Sequence, residues 1–185
     1  MTQANLPAKN TGAMVILVPL VAGLLTSLAL GVYSVAHDPQ FFSVNVPGFA
    51  SFGAVKSTLA SVAFLLALVQ VGSALVMYGK VPITAPSWIG KLHVWSGRLA
   101  VLTTVPVAVH CLYAFGMATG SSRVFIHSIA GCFVYGVFVT KMLLLLKKGV
   151  PGWCLPVFGG LVFTSLTVLW LTSSLWFFQS GKPIF

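Results

Sequence analysis

Residues 89–146 read IGKLHVWSGRLAVLTTVPVAVHCLYAFGMATGSSRVFIHSIAGCFVYGVFVTKMLLLL. Two apolar runs, Ile89–Met117 and Ser122–Leu146, flank the turn residues Thr119-Gly120-Ser121. Each run is longer than the roughly 20 helical residues that cross a bilayer core. Neither alternates with the two-residue period of a membrane barrel strand. The segment is therefore expected to form two antiparallel transmembrane helices. Outward from it lie three further runs of the same kind, Ala13–Ala36, Phe52–Tyr78 and Trp153–Phe178. The breaks between runs carry turn chemistry: His37-Asp38-Pro39, Val46-Pro47-Gly48, Val81-Pro82 to Pro86, and Gly149-Val150-Pro151-Gly152. No internal repeat is visible. The expectation is an all-α polytopic membrane protein, with residues 1–185 forming one domain of five transmembrane helices.

Composition points the same way. Of 185 residues 58% are apolar and 6% charged, and the mean hydropathy is +1.02. A soluble domain carries about a quarter charged residues, so a soluble enzyme, a disordered chain and a nucleic-acid-binding protein are disfavoured. Ten Lys and Arg face a single acid, giving +9. These cations sit mainly at the ends of apolar runs, where they anchor to phospholipid. Asp38 is the sole acid, which rules out paired-carboxylate hydrolysis. Cys111, Cys132 and Cys154 have no CxxC spacing and fall inside apolar runs, as buried thiols do. The first span is longer than the 7–15 apolar residues of a signal peptide, and only Lys9 precedes it, so it is read as a retained helix. Five spans put the termini on opposite sides. Lys9, Lys80, Lys91, Lys147 and Lys148 share one side, with Arg98 and Lys141 just inside it; Lys56, Arg123, Lys182 and Asp38 share the other. The positive-inside bias then places the N-terminus in the cytoplasm and the C-terminus outside.

Ionisable side chains inside a membrane are costly and mark functional candidates. His93, His110 and His127 all lie within spans. His110 precedes the middle of the third-to-fourth turn by about nine residues, and His127 follows it by about eight. At 1.5 Å per residue the two imidazoles share a depth on neighbouring antiparallel helices, the arrangement that two axial ligands of one haem iron require. Arg123, one turn before His127, is the candidate partner for haem propionates, with Lys56 the other cation at that level. Gly131, one turn after His127, leaves a flat patch for a porphyrin. Pro106, one turn before His110, is expected to kink its helix. A membrane histidine also serves simply by bonding a backbone carbonyl or a serine, and glycines also mediate helix packing. His93 is followed by Gly97 at the spacing of His127 to Gly131, and by Arg98. It stands about 26 Å from His110 along the helix, too far for one haem. A second haem at that level, with Met77 or Met142 as the other ligand and Arg98 as propionate partner, is one reading. An interfacial histidine, or one at a quinone pocket, is the other. Arg98 and Lys141 have no carboxylate on their side, so lipid phosphate, a propionate or a partner's acid must answer them. His37, beside Asp38, is read as a solvated loop residue.

The runs Leu92-His93-Val94-Trp95-Ser96-Gly97-Arg98-Leu99 and Ile126-His127-Ser128-Ile129-Ala130-Gly131, with His110, resemble the haem-bearing helices of small b-type membrane cytochromes. The closest groups are the cytochrome b-561 type and the ferric-reductase-like transmembrane domains. The likeness covers the third and fourth spans, about a third of the chain. The whole chain, including Met77-Tyr78-Gly79-Lys80 and Leu175-Trp176-Phe177-Phe178, is similar to a group of uncharacterised small bacterial membrane proteins. The resemblance implies electron transfer through haem b, with His110 and His127 as iron ligands and His93 as a third. Those families use four ligands for two haems; three intramembrane histidines fall short of that. The expected protein is a b-type cytochrome of the bacterial cytoplasmic membrane that passes electrons from quinol to a redox partner through a bis-His haem. Such a chain is at most the electron-transfer subunit of an oxidoreductase. A cofactor-free structural or assembly subunit of a membrane redox complex is the first alternative; a transporter or proton path is the second.

Overall fold

The computed structural model describes residues 11–44 and 46–185. Lys9, counted above towards the orientation, lies outside the described residues. Five helices are long and apolar enough to cross a membrane, and no strand occurs among the described residues. They are α1 (Thr11–Ala36), α2 (Phe52–Met77), α3 (Ile89–His110, prolonged by a π turn over Cys111–Phe115), α4 (Ser122–Leu145) and α5 (Cys154–Trp170, prolonged by a π turn over Leu171–Leu175 and a last turn Trp176–Gln179). The span ends fall within two residues of the sequence expectation. Starts of α2 and α4 are set by serine caps: Ser51 accepts from the Ala54 N–H at 3.2 Å and Ser121 from the Val124 N–H at 3.4 Å. Pro106 stays inside α3, and the ladder widens to π geometry five residues later.

The helices form a ring. α1 packs on α4, α4 on α5, α5 on α2, α2 on α3, and the π turn of α3 returns to α1. One expectation is thereby corrected. α3 and α4, consecutive and antiparallel, are not packed neighbours; they face each other across the interior of the ring. Lipid tails are as apolar as leucine, so helix contact in a bilayer depends on close backbone approach rather than on hydrophobic burial. The α1–α4 pair has that approach. A Cβ on Gly23 would fall on Gly136 O and Thr140 Oγ1, and one on Gly136 would fall on Gly23 O and Ser27 Oγ. Thr140 Oγ1 bonds Pro19 O at 3.2 Å across the same crossing. The ring is closed at the C-terminal end of α1 by Gly116, whose φ of +62° ends the π turn and whose missing side chain leaves room for Ser34 O. The Met117 N–H donates to that same carbonyl at 2.6 Å. Large apolar side chains on all five helices are exposed, as a lipid-facing surface requires.

A cavity between the third and fourth helices

Between α3 and α4 lies a cavity of about 120 Å³, to which all five helices contribute. Its lining is mostly small or apolar: Ser34 from α1, Ala60 and Ala63 from α2, Thr104, Ala108 and Cys111 from the third span, Gly131 and Cys132 from α4, Leu169 and Trp170 from α5. The polar groups that reach it are few. Tyr135 O–H donates to Thr104 Oγ1 at 3.0 Å, bridging α4 to α3. His127 is the one imidazole in the lining. A Cβ on Gly131 would meet only Leu169 Cδ2, at 3.9 Å. No packing contact demands glycine there; its absent side chain leaves the wall flat.

The π turn of α5 fixes the protonation geometry of His127. Thr172 carries one hydroxyl proton, and that proton is committed to the backbone, to Val168 O at 2.6 Å. Thr172 Oγ1, 3.0 Å from His127 Nδ1, must therefore accept from an Nδ1–H. The neutral ring then carries its lone pair on Nε2. A hydrogen bond of this kind holds an imidazole in one tautomer and one ring orientation. Arg123, one turn earlier, donates to Thr172 O and lies 4.0 Å from the Trp176 ring, which Lys182 approaches at 5.3 Å from the same side chain's π system.

His110 is disposed differently, and the expected bis-His pair is corrected here. Its ring is 3% exposed and is not part of the cavity wall. Nε2–H donates to Phe42 O at 3.0 Å, and Nδ1 lies 3.4 Å from Lys56 Nζ, so the neutral ring accepts from the ammonium. Phe42, Phe52 and Phe115 surround it with ring centroids at 4.8, 4.3 and 5.2 Å. Both nitrogens are thus committed, to the 37–44 loop and to α2. The matched depth read from sequence does not bring the two imidazoles to one point, because His110 looks along the α2–α3 interface while His127 looks into the ring.

His93 occupies the same α2–α3 interface at its opposite end, near the start of α3. Ser73 Oγ donates its proton to Val69 O at 2.7 Å and accepts from His93 Nδ1–H at 2.8 Å. Gln70 donates to His93 O and to Ser96 Oγ, the latter at 2.7 Å. Gly97 makes room for that amide: a Cβ there would stand 3.0 Å from Gln70 Oε1. The His93–Gly97 spacing therefore serves a glutamine wedge rather than a porphyrin face. Arg98 is exposed and stacks on Trp95 at 5.0 Å, and Met77 and Met142 are likewise exposed. His37 is not simply solvated. It stacks between Tyr33 and Tyr113, with centroids at 4.9 and 5.0 Å, and its Nε2 bonds Tyr113 O at 2.8 Å.

Sequence reasoning overlooked Thr172, Phe42, Tyr135 and Gln70. Gln70 was available as a signal, being the one amide in the middle of an apolar span, and so was the hydroxyl cluster Thr172-Ser173-Ser174. The carbonyl of Phe42 left no mark, since any residue supplies one.

A porphyrin needs a flat apolar slot, an imidazole nitrogen with a free lone pair, and cations for its propionates. His127 and Gly131, one turn apart on α4, line the cavity, whereas Arg123 and Lys56 stand outside its lining. The second imidazole does not fit, for the reasons given. The space here compares with the ~150 Å³ that admits benzene in an engineered protein cavity, so a porphyrin requires α3 and α4 to stand further apart than they do. Only the Tyr135–Thr104 bond is seen to tie those two helices together across the cavity. No group of three or more His, Cys, Asp or Glu among the described residues is arranged to hold a bare metal ion.

Residues 15–184 match a family of unknown function, DUF6529, and the chain belongs to that family. No curated protein and no solved structure matches it.

Proposed function

We propose that this DUF6529 member is a membrane-embedded b-type cytochrome, with its haem in the cavity between α3 and α4. The observation that carries the proposal is the pairing of an interhelical gap with His127, whose ligating tautomer is fixed by Thr172. Bound there, haem b would supply a one-electron iron couple. The chain's own part would be to present His127 Nε2 and to leave the wall flat at Gly131. Burial and nearby cations are also the levers by which a protein tunes such a couple. The electrons would run between membrane quinol and a redox partner, in the bacterial cytoplasmic membrane, with the N-terminus inside as the distribution of lysines favours. One haem per chain is expected, since Gln70 fills the space beside His93.

The test is a reduced-minus-oxidised visible spectrum of the purified protein, with haem quantified against protein as the pyridine haemochrome. Sharp reduced bands and about one haem per chain are expected. Protein made with ample haem that carries none would overturn the proposal and leave a cofactor-free subunit of a membrane redox complex as the better account.

A further inference from the structure

We propose that the face of α3 carrying Trp95 and Arg98 docks a transmembrane helix of a different protein, and that an Asp or Glu of that helix pairs with the Arg98 guanidinium. The proposal does not depend on the haem reading above.

Depth is the first observation. Exposed Tyr78, Trp88 and Trp153 cap the end of α2 and the starts of α3 and α5, which the alternation of five spans puts on one side. Aromatic residues at such positions lie at the level of the lipid headgroups. Arg98 follows Trp88 by ten residues, about 15 Å of helix against a hydrocarbon core about 30 Å thick. Its side chain leans back one turn to stack on Trp95, with the guanidinium carbon 5.0 Å from the ring centroid. Trp95 is itself seven residues from Trp88, about 10 Å of helix. The lean that brings a long cation up to lipid phosphate from nearer a helix end therefore stops short here.

Exposure is the second. Arg98 is exposed, and Trp95 beside it is 58% exposed. The one helix along which α3 packs is α2. The side turned there holds Ser96 and Gly97 against the Gln70 amide, which fills the space a second polar side chain would need. A charge facing lipid at this depth is costly unless something answers it. From Trp95 and Arg98 the exposed stripe continues through Leu102, Val105 and Val109. Its steps of three, four, three and four residues are those of a helix-packing seam. Aliphatic residues alone would suit lipid tails; tryptophan and arginine are the side chains that anchor an interface.

Charge identifies the occupant. The chain's sole acid, Asp38, lies beyond the end of α1. A second copy, in either orientation, thus has no carboxylate to bring to the depth of Arg98. A foreign helix with Asp or Glu there has one, and a carboxylate meets the guanidinium fork through two parallel N–H···O bonds.

The experiment places the whole protein in phosphatidylcholine vesicles with a synthetic polyleucine transmembrane helix carrying one Glu about 10 Å from its end. Pairing is read by energy transfer between labels on the two. Wild type should hold the Glu helix at least about ten-fold more tightly than Arg98→Leu does, and than it holds the same helix with Leu for Glu, as a charge-assisted pair warrants. Trp95→Leu should fall between. Arg98→Leu alters only a lipid-facing position, so its helical content and Tm should match wild type. Equal pairing of wild type with the Glu and Leu helices would overturn the proposal, and that comparison decides by itself if Arg98→Leu does not fold. A phospholipid retained through purification by wild type and lost from Arg98→Leu would replace the partner helix with a lipid phosphate. Energy transfer between two labelled copies, abolished by Arg98→Leu, would replace it with self-association.

Discussion

Gly131 and Gly136 lie five residues apart on α4 and do opposite things. Gly136 lets α1 touch: its absent side chain is replaced by Gly23 O and Ser27 Oγ of the neighbouring helix. Gly131 holds nothing close, and its absent side chain helps to keep a cavity beside His127. In a bilayer the same residue type thus serves contact on one face and vacancy on another. Which it does depends on whether a helix stands opposite. The difference teaches that a small residue in a span identifies a place where something approaches, without saying whether that something is a helix.

The sharpest break of this comparison is Gly136→Val. Its branched carbons would overlap backbone and hydroxyl atoms that cannot withdraw without parting α1 from α4, so a loss of at least about 3 kcal/mol is expected. Thermal unfolding in detergent would read it as a large drop in Tm or as failure to yield monodisperse protein. Gly131→Leu is the counterpart. It fills open space, so Tm should hold within a few degrees while haem content falls several-fold; an unfolded Gly131→Leu protein would show that this glycine, too, serves packing. Thr172→Val removes the acceptor of the His127 Nδ1–H without touching the ring. Outer partners of this kind change ligand affinity by about 10–100-fold, so haem titration of the apoprotein should show weaker binding with unchanged secondary structure. Smaller still is Gln70→Leu, which strips His93 O and Ser96 Oγ of a donor; about 1 kcal/mol of stability should be lost, with haem content unaltered. The least effect belongs to Tyr135→Phe. Interhelical hydrogen bonds in membranes average about 0.6 kcal/mol, and loss of this one should ease separation of α3 from α4, raising the rate of haem uptake more than it lowers Tm.

The spans themselves were legible because two signals coincide: long apolar runs, and breaks rich in proline, glycine and aspartate. Phe52, Ile89 and Ser122 begin their helices as the sequence suggests. The ring was not legible. Helices that are apolar all round, as α1 and α5 are, carry no stripe to say which neighbour they prefer, and lipid accepts whatever face is left. For the candidate site, depth could be counted but direction could not. His110 and His127 were placed at one level by counting from a turn, yet the α2–α3 pairing points one toward Phe42 O and the interior gap receives the other. The two π turns add to this, since each widens the ladder from i→i+4 to i→i+5 and so turns the residues beyond it away from α-helical register. The tautomer of His127 depends on Thr172, 45 residues later, and no spacing rule joins them.

The α1–α4 crossing also sets an order of assembly. Its hydroxyl bond joins Thr140 to Pro19 across 121 residues, and before α4 is made α1 meets only the short π turn that ends the third span. At a synthesis rate of 5–20 residues per second, α1 waits about 6–24 s for its partner. During that interval α2 and α3 can pair beside it while the long face of α1 stays open to lipid. An apolar surface on every side is what lets a helix wait in a bilayer without finding the wrong partner, and the glycine at position 23 becomes useful only when Gly136 arrives.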